Sequence, residues 1–588
     1  MTHTISAKPE VEEPRGCIKK RAGVLCAMVA MAAIAALPFF YIGEDQKVGC
    51  CGGEMPVTHD SWMHFNQMRA FYRGLESGRL YPRWDDETHG GYGAPTLAFY
   101  PPGAYYVTSF FYFLTRDWSK VWMGFYWLAS FASAAAIYYY ARSHGNKMSR
   151  AASLMAAAVY VFAPYHLINQ YQRGAMAEFL SFIWTPLVLL FAERLCDAGS
   201  MDGQSSKRTV LSFAGLSASF GAFLWSHPPT AYQFMLVFGP CFAVWAIWRK
   251  RFRGLLIIVC ALAFGAMIAA AYFFPAVAEQ NLVYYEDVER TWPYHASYVY
   301  DFGQKVYDHV GNAFFVRLDR IWAFNAILIA GGAGVFVWLL KRVGKGARAP
   351  RVWMWAGLIA SFLMTKYSEP IGRLIPKIET GVYSWRMMTL TSFAVAMVAA
   401  GLFDVWSKRG ESPNMKKEGV ARLSPLASSA ILIGALAMSA WYVAWPMWRG
   451  QSFEPNLEHF NFATLPRGVP REAPPMDQAQ LASGAGRVTV EHWAPELRRL
   501  RTETEKPDQL QFRASNFAGW TATVDDGLVE IKEGALKNIV IDLPAGAHTV
   551  NLELRPTPVR RAANAITIIS LAILFTIFIL VTRLKRRL

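Results

Sequence analysis

Apolar residues run along this chain in long unbroken blocks, separated by shorter polar or basic segments. Twelve blocks of roughly 20 residues suit helices that cross hydrocarbon, where only a helix satisfies its own backbone. They cover 22–42, 119–141, 150–168, 176–194, 210–227, 230–248, 254–275, 321–340, 352–367, 386–406, 427–447 and 563–582. The run 101–116 is apolar and aromatic but short, and Pro101 and Pro102 open it; it reads as a helix lying in the membrane interface. Three segments are too long to be simple turns: 43–118, 276–320 and 449–562. Long loops of this kind in compact membrane proteins usually carry function.

In the third long segment the period changes. A Pro-rich stretch, Phe453–Ala482, precedes alternating runs at Arg487–Trp493, Leu510–Phe517, Trp520–Asp525, Leu528–Lys532, Asn538–Leu543 and His548–Arg555. Asp526-Gly527 and Pro544-Ala545-Gly546 mark turns between them. Six short strands predict a small all-β, sandwich-like domain. The expected architecture is therefore a mainly α polytopic membrane protein of twelve spans, with the membrane domain over 1–448 and an extracytoplasmic domain over 449–562 whose sandwich starts near 484. A final anchor and basic tail fill 563–588.

Composition supports this reading. The 588 residues are 53% hydrophobic, 15% aromatic and 17% charged, against roughly 25% charged in soluble domains. A disordered chain, a coiled coil and a cytosolic enzyme are excluded. Seven Cys exclude a disulfide scaffold; the adjacent pair Cys50 and Cys51 would bond to each other only with strain. The net charge of +16 is topological. Seven clusters, from Lys19–Arg21 to Arg583 with Lys585–Arg587, hold 26 of the 59 Lys and Arg and fall at alternate loops. The positive-inside rule then places both termini in the cytoplasm and the three long segments outside, and no nucleic-acid role is implied. The first apolar run exceeds the 7–15 residues of a signal peptide core and reads as a retained anchor.

The first long loop carries the most chemistry. Trp62, Phe65, Met68, Tyr72 and Leu75 form one helical stripe, with Arg69, Arg73 and Glu76 elsewhere and Gly78 as a stop. This predicts an amphipathic helix in the interface, and Asp60 stands at its start. One role for Asp60 is an N-cap carboxylate. The other is a general base on a hydroxyl, since it follows the first span closely and precedes a stretch rich in Gly, Tyr and Pro that can shape a pocket.

The order of motifs resembles a known family. Asp60 and the amphipathic helix are followed by Gly78-Arg79-Leu80-Tyr81-Pro82-Arg83-Trp84, Gly91-Tyr92-Gly93-Ala94-Pro95 and Phe99-Tyr100-Pro101-Pro102. Further on come Arg173-Gly174-Ala175-Met176-Ala177-Glu178 and Val382-Tyr383-Ser384-Trp385-Arg386. The β-region adds Phe517-Ala518-Gly519-Trp520, Val524-Asp525-Asp526-Gly527, Leu543–His548 and Arg555–Pro558. Together these resemble the large bacterial membrane proteins of the YfhO-like type, within the GT-C superfamily of glycosyltransferases. The resemblance implies sugar transfer on the extracytoplasmic face, from a polyprenyl-phosphate sugar donor to a glycan, lipid or protein acceptor of the cell envelope. It also implies an acidic base in the first loop, which is Asp60 here, and location in the bacterial inner membrane.

Several other residues are candidates. Asp85 and Asp86 are a second acidic pair, read either as acceptor-orienting groups or as solvated loop charges. Where some family members carry a second acid beside the base, this chain has His59; a divalent cation, Mg or Mn, would be held by Asp60 with Asp85. A leaving lipid phosphate needs positive charge. Arg386, Arg173, Arg373 and Lys377 stand at outer ends of spans and can supply it, or can simply snorkel to the boundary. Arg386 is the preferred one. Glu178 is either functional or the partner of Arg173 across the turn. His227, before Pro228-Pro229, can contact phosphate or pack as a polar group; Glu279 faces the same side. Trp520 can stack on a glycan or fill the β-domain core. Two rival functions share the architecture: a transporter or flippase of lipid-linked sugars, and a non-catalytic envelope-assembly protein.

Overall fold

The computed structural model describes residues 15–36, 47–49, 54–143, 145–198, 206–284, 297–299, 312–343, 352–375, 383–409, 464–470 and 472–583. The expected span 427–447, Cys50, Cys51, Lys377 and much of the loop 276–320 lie outside the described residues.

Six described helices are long and apolar enough to cross a membrane alone: Trp118–Arg142, Met176–Cys196, Lys207–Ser226, Pro228–Trp248, Ser384–Val405 and Pro558–Leu580. Two bent pairs, Arg150–Val161 with Pro164–Arg173 (41°) and Phe252–Ile268 with Ala270–Ala278 (79°), raise the number to eight. The expected twelve are thus matched only in part among the described residues, and some apolar runs are not one straight helix. The run 150–168 breaks ahead of Pro164, the run 22–42 overlaps the helix Arg15–Ala36, and the run 352–367 appears as the shorter helix Val352–Leu363. The run 321–340 lies within Asn312–Val343. Burial separates the central Ser384–Val405, 78% buried, from the peripheral Pro558–Leu580, 17% buried; the latter presents Ile568, Ile569, Phe575 and Phe578 outward.

The first loop behaves differently from expectation. Its helix spans Ser61–Glu76, and Gly78 follows with φ +85°. The apolar stripe does not lie in lipid. Phe65, Met68, Phe71 and Tyr72 are buried in the protein core, and Trp62 and Leu75 pack against it. Periodicity reports an apolar face but not what covers it. The run at 101–116 is the helix Gly103–Thr115, with Phe110, Phe113 and Leu114 exposed.

After a short hairpin, β1 (Lys47–Gly49) with β2 (Glu54–Pro56), all other strands among the described residues belong to the C-terminal domain. They are β3 (Ala479–Leu481), β4 (Arg487–Ala494), β5 (Leu497–Thr504), β6 (Asp508–Ser515), β7 (Trp520–Val524), β8 (Gly527–Val529), β9 (Lys532–Glu533), β10 (Asn538–Leu543) and β11 (Gly546–Leu554). Two antiparallel sheets, β3-β6-β10-β9 and β4-β5-β11-β7-β8, share one apolar core. The β7–β8 turn places Asp525 and Asp526 at positive φ, 48° and 66°, with Val524 opposite Gly527; such two-residue turns match strand twist.

Trp84 and Phe99 from the first loop complete that core. The Trp84 ring meets Trp520 edge-on at 5.3 Å, and Trp520 is a core residue. The Arg83 backbone N–H donates to Glu496 Oε1 (2.6 Å), while its guanidinium donates to Ala271 O and Asn564 Oδ1, each at 3.0 Å. Arg79 donates to Glu553 at 2.9 Å. The stretch Gly78–Trp84 therefore docks the β-domain onto the membrane domain.

Candidate active site

The site forms where the first loop meets the turn Arg173–Glu178. The backbone N–H groups of His59 and Asp60 donate to Gln172 O (3.1 Å) and Arg173 O (2.9 Å). The helix there widens into a π turn over Asn169–Arg173, a local widening that recurs at functional sites. Gly174 ends it at φ +65°, and a Cβ on Gly174 would collide with Thr58 Oγ1. Only glycine lets the two backbones approach this closely.

Asp60 occupies the N-cap position of Ser61–Glu76, yet its side chain makes no capping hydrogen bond. Ser61 Oγ instead accepts from Thr58 N at 2.9 Å. No hydrogen bond or ion pair reaches the Asp60 carboxylate among the described residues, and it is half-buried. Burial pushes its pKa up; Arg173 and Arg386 pull it down, and Glu178 adds to the rise. The neighbouring His59 is held at about 3 by burial, reinforced by Arg173 and Arg317, so it is neutral.

Glu178 is the opposite case, a buried acid with every need met. Oε1 accepts from Tyr165 OH (2.6 Å) and Asn169 Nδ2 (3.3 Å). Oε2 lies 2.6 Å from Arg173 Nη1 and 3.3 Å from Arg386 Nε. Arg173 also donates to Asn169 Oδ1 at 2.6 Å. The Arg386 guanidinium lies 4.8 Å over the Tyr383 ring, which stacks on Trp385 at 4.5 Å. One glutamate thus fixes two arginines that both act on Asp60.

His227 joins the cluster electrostatically. Its Nδ1 accepts from Thr230 N at 3.2 Å and caps Pro228–Trp248. Burial, then Arg386, hold it at about 3, so it is a neutral cap. Asp60, Arg173, Glu178, Arg386 and His227 are therefore brought together, and Asp85, Asp86 and Arg373 are not. Asp85 closes its own turn, accepting from Glu87 N (3.1 Å) and Thr88 Oγ1 (2.8 Å), and burial raises its pKa to about 6. Asp86 pairs with Arg73 at 2.6 Å. Arg373 pairs with Glu369 at 2.5 Å in an exposed contact, and Lys377 falls outside the described residues. Among the described residues no group of three or more His, Cys, Asp or Glu is placed to hold a metal ion.

Two kinds of site residue escaped sequence reasoning. Arg317 donates to Gln172 Oε1 at 3.0 Å and approaches from the helix Asn312–Val343. It stands just ahead of the run 321–340, the same signal that singled out Arg173 and Arg386. Tyr165 and Asn169, four residues apart, turn one face of an apolar run polar. That spacing was legible; its partner was not.

Residues 97–447 match the family described as 6-pyruvoyl-tetrahydropterin synthase related domain; membrane protein. An "Uncharacterized protein" of Lactococcus lactis subsp. cremoris (strain MG1363) is 26% identical over 174 residues, which are 29% of this chain and 26% of that protein. The match thus spans about a quarter of the relative's length. ArnT from Cupriavidus metallidurans in the apo state is similar with a TM-score of 0.32 and 11% identity, over 89% of this chain and 98% of that one. The same protein bound to undecaprenyl phosphate gives a TM-score of 0.31 and 12% identity, over 88% and 98%.

Proposed function

The chain belongs to the 6-pyruvoyl-tetrahydropterin synthase related family of membrane proteins, and within it we propose a glycosyltransferase that moves a sugar from a polyprenyl-phosphate donor to an envelope acceptor. The observation that carries this reading is the placing of a carboxylate without a hydrogen-bond or ion-pair partner among the described residues, Asp60, beside two arginines held by a buried glutamate. A base whose pKa is raised toward the working pH is better matched to taking a proton there, and burial raises that of Asp60. A leaving phosphate must meet fixed positive charge.

In the reaction, the acceptor hydroxyl gives its proton to Asp60 as its oxygen bonds to the anomeric carbon. The bond from that carbon to the phosphate oxygen breaks, and the electron pair leaves with the lipid phosphate. Arg386 and Arg173 stabilise the charge that develops there. A single displacement inverts the anomeric centre. Glu178 is a positioning residue: it orients both guanidinium groups. The alternation of positive clusters along the sequence supports a reading in which this face lies outside the cytoplasm. Asp85, the suggested second ligand of a cation, is spent on its own turn.

The test is sugar transfer from a polyprenyl-phosphate donor by membranes carrying the wild-type chain or Asp60→Asn at equal expression. Loss of about a hundredfold or more is expected. Transfer at the wild-type rate would sink the assignment. The two bent helix pairs are the feature that favours a transporter of lipid-linked sugars, since transporters bind substrate at broken helices. In that case Asp60→Asn would alter lipid translocation into vesicles and no glycosidic bond would form in either protein.

A further inference from the structure

The turn between the helices Pro228–Trp248 and Phe252–Ile268 gathers four cations, Arg249, Lys250, Arg251 and Arg253. It is short and closed by its own backbone. Lys250 N and Arg251 N donate to Ile247 O and Ala246 O, each at 2.8 Å, and Lys250 stands at φ +55°. Glycine usually provides this closure, so a charged side chain occupies a position where glycine costs less. Arg249, Lys250 and Arg253 are exposed and Arg251 is half-buried. None of the four forms an ion pair among the described residues.

The fold does not call for all of these charges. A helix C-terminus favours cations, which accounts for Arg249 at the end of Pro228–Trp248. Arg251 and Arg253 stand at the opposite pole, the start of Phe252–Ile268, whose first turn holds no acid and where positive charge is unfavourable. The turn 142–150 is a contrast. It is also basic, with Arg142, Lys147 and Arg150, but acids reach it. Asp404 accepts from Ser149 N at 2.8 Å, and Glu193 Oε2 lies against Gly145, where a Cβ would stand 2.6 Å away.

Apolar surface flanks the four cations. Trp248 is 73% exposed and Phe252 60%, and Val244, Ile247, Leu256 and Val259 continue an exposed face along both helices. The Arg249 guanidinium lies 5.5 Å over the Trp248 ring. Pro228–Trp248 is long and apolar enough to cross a membrane, and aromatic rings beside cations at the end of such a helix suit the membrane boundary. We propose that this turn is a binding site for the headgroup of an anionic phospholipid. Arg249, Lys250, Arg251 and Arg253 take the phosphate, and Trp248 and Phe252 sit where headgroup meets acyl chain. Four cations without an acid select against a zwitterionic lipid, whose own ammonium group adds positive charge to the cluster. Such binding depends neither on sugar transfer at Asp60 nor on which leaflet the turn meets.

The test is native mass spectrometry of the purified full-length protein, titrated in detergent with phosphatidylglycerol or phosphatidylcholine. Wild type is expected to bind phosphatidylglycerol about tenfold more tightly. Arg249→Gln with Lys250→Gln and Arg253→Gln is expected to lose that preference, whereas Arg249→Lys with Arg253→Lys keeps it. Arg142→Gln with Lys147→Gln and Arg150→Gln, at the turn that acids reach, is expected to keep it as well. Equal affinity for the two lipids in wild type would overturn the site. So would a preference that survives the first set of Gln substitutions, or one lost equally with the second. Competition by glycerol phosphate at the affinity of the intact lipid would overturn the lipid assignment, because Trp248 and Phe252 would then contribute nothing.

Discussion

Glu178 and Glu279 are both buried and both bind arginine, yet only one marks a site. Glu279 accepts from Arg560 Nε (2.8 Å) and Thr557 Oγ1 (2.7 Å), which ties the last helix to the turn after Ala270–Ala278. That centre holds one acid and one base and is complete. The Glu178 centre holds two arginines, and a second acid, Asp60, stands beside them with no hydrogen-bond or ion-pair partner among the described residues. A buried ion pair is therefore weak evidence of chemistry by itself. The surplus group is the evidence, because a fold has no use for a desolvated carboxylate that bonds to nothing.

The contrast can be broken by substitution. Glu178→Gln leaves two buried arginines facing a neutral amide. It is expected to destabilise the protein by about 3–5 kcal/mol and to lower sugar transfer per folded molecule by about a hundredfold. Glu279→Gln should cost similar stability, read by thermal unfolding, and leave transfer per folded molecule unchanged. Equal activity losses would erase the distinction. Trp520→Ala removes the ring that meets Trp84 and should cost about 3–5 kcal/mol, seen as faster proteolysis of the β-domain with the Asp60 site still competent. Gly174→Ala sharpens the Asp60 side: a Cβ at φ +65° against Thr58 should cost about 1–3 kcal/mol and raise the KM for donor by displacing the loop.

The smallest effect concerns Asp85. Its folded pKa of about 6 exceeds the ordinary value of about 3.9, so the folded state binds more protons between those values. Stability is then lost as pH rises from about 4 to about 6. Asp85→Asn should flatten that slope in unfolding measurements between about pH 4 and about pH 6.

Much of this was legible in the sequence, and the gaps have physical causes. Continuous apolar runs located the membrane helices, because hydrocarbon demands them. Alternation located β6, β7, β10 and β11 within a few residues. It missed β5, Leu497–Thr504, because the inward positions of that strand are Arg498, Leu500, Thr502 and Thr504. A strand that buries an arginine and two threonines does not alternate in polarity. The Asp60 helix was visible, but its burial in protein was not, since periodicity is blind to the partner. Asp60, Arg173, Glu178 and Arg386 were each visible as polar groups at span ends; that Glu178 joins the two arginines is tertiary. Asp85 and Asp60 looked alike in sequence and differ only because Glu87 N and Thr88 Oγ1 close on Asp85.

The most direct measurement is the pH dependence of sugar transfer, as kcat/KM for the lipid-phosphate donor, in wild type and Arg386→Gln. If Asp60 is the base, transfer requires its ionised form, so the rate falls as pH drops through its pKa. Burial sets that acid limb above the ordinary carboxylate range, and loss of the Arg386 charge must move it to higher pH. An acid limb in the ordinary range, or one that stays in place when Arg386 is removed, would contradict the account.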